Sequence, residues 1–138
     1  MAVPFLACMV AVAAFYQLPP RVLPAIQAVE GGRIGTVHVN TDGSEDLGVM
    51  QVNTRWVAIL ARTIGAAPAA TRQRLIDDAC FNIAAAGIIL RTYLNEARGD
   101  LLLAVGHYHS HTPALRDWYL ARVTQSAGAM FARNGAAR

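Results

Sequence analysis

Apolar residues recur along this chain mostly at helical intervals, and the places where that rhythm fails divide it into elements. Ala2 to Tyr16 is almost wholly apolar and predicts a buried helix ending at Gln17, ahead of Leu18-Pro19-Pro20. Val22, Leu23, Ile26 and Val29 then repeat at helical spacing up to Glu30, where Gly31-Gly32 ends the run. Thr36-Val37-His38-Val39 alternates, Asn40 to Ser44 is a dense turn signal, and Glu45 to Leu47 can return as a second strand, so a small hairpin is predicted. Val52 to Ile64 reads as a helix closed by Gly65, and Thr71 to Glu96 as one long helix. The centre of that helix, Ala79 to Leu90, is apolar nearly all round, which marks it as the core helix. Asp100 is a cap for Leu101 to Tyr108, and Thr112-Pro113 starts a last helix through Trp118, Tyr119 and Val123. After about Gln125 the pattern fades, and a loosely held tail is expected. The fold class is mainly α, an α+β domain over residues 1–138 with one small β-hairpin.

Composition adds limits rather than a direction. A chain of 138 residues that is 54% hydrophobic can form its own core. Its net charge of +3 comes from arginine alone, since there is no lysine. That excess suits an anionic polymer, but the arginines are scattered, and nucleic acid is not expected as a partner. The uncharged N-terminal stretch is short for a spanning helix, and as a signal peptide it lacks a basic n-region, so a buried structural helix is preferred. Cys8 and Cys80 allow either one disulfide, which would close a long loop and imply an oxidising compartment, or two buried thiols.

The segment from Glu30 to Trp56 breaks the packing pattern with carboxylates and amides. Glu30 sits at a helix C-terminus, where the macrodipole disfavours a carboxylate, and apolar neighbours such as Met50 or Tyr108 would add desolvation. A neutral carboxylic acid at working pH is what a general acid must be. Asp42 before Gly43 is turn chemistry, whereas Asp46 ends the hairpin and is placed to face Glu30 across a cleft. Gln51 and Asn53 alternate with apolar residues and suit sugar hydroxyl or N-acetyl groups, although Asn53 is equally a helix cap. His107, His109 and His111 alternate, but a helical setting separates His109 from the other two, and no acidic or cysteine partner is near in sequence. No metal site and no cofactor are expected. Tyr108 is read as a wall of the same cleft.

Four runs in order then resemble one family. They are Ala25-Ile26-Gln27-Ala28-Val29-Glu30, Gly48-Val49-Met50-Gln51-Val52-Asn53, Asn82-Ile83 with Gly87, and Ala104-Val105-Gly106-His107-Tyr108-His109-Ser110. Together they are similar to the lytic transglycosylases of the lysozyme-like superfamily, in particular the compact kind that accompanies secretion, conjugation and pilus machines. The resemblance implies a lysozyme-like fold and a cut between N-acetylmuramic acid and N-acetylglucosamine in peptidoglycan. It implies Glu30 as the sole acid/base, a 1,6-anhydro product, and Met50, Gln51, Asn53, Tyr108 and His109 as substrate contacts. It also favours a Cys8–Cys80 disulfide, a monomer, peptidoglycan strands and components of such a machine as partners, and the periplasm or cell envelope as location. Gly31 stands where relatives usually have Ser, and His109 where they have Asn, which weakens any contacts carried over to those two. Asn40 to Gly48 also resembles the hairpin of animal-type lysozymes, which would make Asp46 a second catalytic carboxylate in a hydrolase. A catalytically silent peptidoglycan-binding module is the remaining alternative.

Overall fold

The structure, a computed structural model, describes residues 2–136, with side chains as far as 130. Its elements run α1 (Leu6–Phe15), α2 (Val22–Glu30), β1 (Val37–Val39), β2 (Glu45–Leu47), β3 (Val52–Asn53), a short 3-10 turn (Thr54–Trp56), α3 (Val57–Ile64), α4 (Pro68–Asp77), α5 (Ala79–Glu96), α6 (Leu101–His109) and α7 (Pro113–Ala136). Seven helices surround one small sheet among the described residues, the mainly α, lysozyme-like arrangement that was expected. None of these helices is long and apolar enough to cross a membrane.

α5 is the axis of the core. Ile83, Ala86, Ile89 and Leu90 are buried on successive turns, as the near-continuous apolar run requires, and they meet Met9, Leu23, Ile26, Met50, Val105 and Tyr119 from five other segments. Cys8 of α1 is disulfide-bonded to Cys80 of α5, a closure across 72 residues. That bond fastens the N-terminal helix to the core helix.

Three boundaries differ from the sequence expectation, each for a local reason. The expected long helix from Thr71 breaks at Asp78, whose backbone is extended and whose side chain accepts a hydrogen bond from Phe81 N–H as an N-cap. Helix α4 instead begins at Pro68, a proline in the first turn where its missing N–H costs nothing. The expected helix from Val52 starts only at Val57, because Val52 and Asn53 first pair with Leu47 and Asp46 as a third strand. The hairpin is therefore the first two strands of an antiparallel sheet ordered β1-β2-β3.

Helix α1 is less buried than its apolarity predicts. Met9 and Ala13 face the core, but Leu6, Val10 and Phe15 point outward and are exposed. α1 lies on α5 with its other side uncovered, and hydrophobicity all round a helix does not by itself supply a second layer. At the other end, α7 continues to Ala136, past the point where its apolar periodicity fades, and packs along α2.

Candidate active site

The groove is built on a backbone junction between α2 and the sheet. Gly31 ends α2 in the left-handed region at φ 67°, its N–H donating to Gln27 O, and the chain then passes against the β2–β3 turn. A side chain at Gly32 would run into the carbonyl oxygens of Gly48 and Val49, and one at Gly48, itself at φ 68°, into Leu75 O and the Asn82 amide. Glycine is required at both positions because backbone meets backbone there.

Asn82 holds that turn in place. Fully buried on α5, it donates through Nδ2 to Leu47 O and Leu75 O, each at 2.8 Å, and accepts at Oδ1 from Met50 N–H at 2.8 Å. One side chain thus satisfies three buried backbone groups from two separate segments. Tyr108 of α6 completes the junction, donating its hydroxyl to Met50 O at 2.9 Å. On the outer side Glu45 pairs with Arg72 through two hydrogen bonds of 3.0 and 2.8 Å, tying β2 to α4.

Between α2, the sheet and the ends of α6 and α7 lies a groove of about 560 Å³ whose walls include Glu30, Asp46, Gln51, Asn53, Tyr108 and His109. All six are residues singled out by the sequence, and Glu30 enters from the last position of α2. A larger concavity of about 760 Å³ between the N-terminal residues, α2 and α7 is lined chiefly by apolar groups such as Pro24, Ile34 and Met130, with no carboxylate. The smaller groove is therefore the one that brings carboxylates together.

Burial pushes the Glu30 carboxyl from its ordinary 4.5 up to about 7, and the negative charge of Asp46 adds to the rise. The Tyr119 phenol, which lies beside it, pulls in the opposite direction. That hydroxyl is buried and falls short of a well-formed hydrogen bond, so its hold on the carboxylate is weak. Near neutral pH Glu30 is populated in both protonation states, the condition for giving a proton in one step and taking one in the next.

Asp46 and Asn53 face each other across β2 and β3, with Asn53 Nδ2 donating to Asp46 Oδ1 at 2.9 Å and to Ser44 Oγ at 3.1 Å. Asn53 Oδ1 also accepts from Arg55 N–H at 3.0 Å, capping the 3-10 turn. Asn53 is thus the cap expected of it, and at the groove wall the same amide holds Asp46. Asp42 accepts from Ser44 N–H and Oγ, the local turn chemistry expected of it.

Gln51 has φ 53°, a left-handed conformation that costs a non-glycine residue about 1 kcal/mol. Its Nε2 donates to Gly48 O at 3.0 Å, which leaves its amide oxygen as an acceptor at the groove wall. Met50 departs from expectation. Its side chain is fully buried and does not line the groove, and what it contributes is its backbone, gripped by Asn82 and Tyr108. His109 lines the groove with its ring stacked on Tyr119, centroids 4.9 Å apart and planes at 12°. Burial lowers its pKa, so at neutral pH it is an uncharged aromatic platform.

Tyr119 is the residue the sequence did not reveal. It reads there as one aromatic of a packing helix beside Trp118, and only the docking of α7 along α2 places its hydroxyl against Glu30. Arg55 and Leu115, also at the groove, carry no sequence signal of their own. Compared with known proteins, residues 8–130 match the family described as Transglycosylase SLT domain. No curated protein matches the chain.

Proposed function

Since the chain belongs to the Transglycosylase SLT domain family, whose members are lytic transglycosylases acting on peptidoglycan, we propose that Glu30 is its single catalytic acid and base. Protonated Glu30 donates to the glycosidic oxygen between N-acetylmuramic acid and N-acetylglucosamine as the bond from that oxygen to C1 breaks. The resulting carboxylate takes the proton from the muramyl 6-hydroxyl as O6 bonds to C1. The proton lost in the first half returns in the second, no water enters, and the product is a 1,6-anhydromuramyl end.

The observation that carries this reading is the Glu30 carboxyl held up to about 7 by burial, at the wall of a groove lined by amides, hydroxyls and a second carboxylate. Gln51 supplies an amide acceptor, and His109, backed by the buried Tyr119 ring, an uncharged surface for a pyranose face. Glu30→Gln removes the proton donor while keeping shape. The variant is expected to be folded and to leave purified cell walls intact in a turbidity assay; lysis equal to that of the parent would rule Glu30 out.

A second reading is kept by one observation: Asp46 shares the groove with Glu30, oriented by Asn53. With Asp46 as nucleophile or charge stabiliser the protein is a muramidase and water appears in the product. An enzyme opening the wall locally for a secretion, conjugation or pilus machine would work in the periplasm or cell envelope. The Cys8–Cys80 disulfide supports that location, because such bonds persist in oxidising compartments.

A further inference from the structure

Away from the groove lining, three ligand-type side chains meet behind the end of α6. Glu96 is the last residue of α5, His107 lies in the last turn of α6, and His111 follows after Ser110 has turned the chain to an extended backbone. That turn folds His111 back onto His107, and the rings stack at 4.0 Å with planes at 16°. Glu96 Oε1 is 2.7 Å from His111 Nε2 and 3.6 Å from His107 Nδ1. The sequence hides this grouping, because the carboxylate comes from fifteen residues before His111, across the α5–α6 connection.

We propose that Glu96, His107 and His111 form a binding site for a divalent transition-metal ion of the Zn2+ class, which fixes the α6–α7 connection. The first support is geometric. The three ligand atoms lie no more than 4.8 Å from one another, and tetrahedral Zn2+ with bonds of about 2.0–2.1 Å needs ligands about 3.3 Å apart, so closure asks for side-chain shifts of roughly 1 Å or a little more.

The second support is an orphan. His107 is 9% exposed, and its Nδ1 is buried without a hydrogen-bond partner, since 3.6 Å to Glu96 is too long for one. An unsatisfied buried nitrogen facing a carboxylate is explained by an ion that both would bind. Two imidazoles and one carboxylate select Zn2+ or a neighbouring transition metal over Mg2+ or Ca2+, which prefer all-oxygen shells. Glu96 and His107 also sit at helix C-termini, whose partial negative charge favours a cation. Arg116, the cation whose charge reaches His107, is paired with Asp117 at 2.9 Å.

The site borders one groove element. His109 and Ser110, which line the groove, fall between ligands His107 and His111, while Tyr93 packs edge-on against both histidines, at 6.1 and 5.2 Å, and against Trp56. A bound ion would clamp the 107–111 segment to the end of α5, leaving one coordination position for water.

The test is thermal unfolding of the intact, oxidised protein after EDTA treatment, with and without Zn2+, and titration with Co2+ read by its visible d–d absorption. Thiolate binding cannot interfere, as the protein has no free cysteine. One equivalent of Co2+ should give a tetrahedral spectrum, and Zn2+ at about a hundredfold excess over Kd should raise Tm by on the order of 5–10 °C. Glu96→Gln and His111→Ala alter exposed side chains and should fold but lose both signals, whereas His38→Ala, on exposed β1, should keep them. No Tm shift in the parent protein, or the same shift in Glu96→Gln and His111→Ala, would overturn the proposal.

Discussion

Replacing Glu30 by Gln should make the protein more stable, and by an amount that depends on pH. Burial raises the folded-state pKa from 4.5 to about 7. Below pH 4.5 the carboxyl is neutral in both folded and unfolded chains and imposes no penalty. Between 4.5 and 7 the unfolded chain loses its proton while the folded one keeps it, so stability falls as pH rises. Above 7 the full difference is present, and at about 1.4 kcal/mol per pH unit it amounts to about 3 kcal/mol. Glutamine has the same shape and no charge to desolvate. Urea unfolding of the parent and of Glu30→Gln at pH 4.5 and pH 8 should therefore give nearly equal stabilities at the lower pH. At the higher pH the variant should be ahead by up to about 3 kcal/mol, with similar urea slopes. A gain that is the same at both pH values, or a variant that is less stable at pH 8, would show that burial does not hold this carboxyl neutral. The same groove would then need another source for its proton.

Three further outcomes follow from the same geometry. The rate of wall cleavage should fall on the alkaline side with an apparent pKa near 7, as Glu30 loses the proton it must donate; a rate flat from pH 6 to 9 would count against it. Asp46→Asn should retain a good part of the lytic activity if one carboxylate suffices and lose most of it in a two-carboxylate hydrolase, measured on the same wall substrate. Asn82→Ala strands Met50 N–H, Leu47 O and Leu75 O in the core, and chemical denaturation should show a loss of about 3–5 kcal/mol.

The residues that advertise themselves in the sequence are those whose chemistry is local. Glu30 before two glycines, the Asn40–Ser44 turn and the Asp100 cap are each determined by neighbours within a few positions, and the structure places them as read. Asn82 was legible only as part of a family pattern, because its three partners lie 7 to 35 residues away. The break at Asp78 is hidden because apolar residues continue on both sides of it, and a single capping side chain outweighs that continuity. Met50 differs for another reason: it stands next to Gln51, which lines the groove, but its own side chain turns into the core with those of Val49 and Val52. Tyr119 and the trio of Glu96, His107 and His111 are products of helix docking, which no spacing along the chain encodes.

On the proposed route one carboxyl performs both halves of the reaction without water. Digestion of purified peptidoglycan, followed by mass spectrometry of the released muropeptides, tests it directly. Muramyl ends in the 1,6-anhydro form are expected. Products heavier by one water, as the sole ends released, would contradict it and assign the groove to a hydrolase.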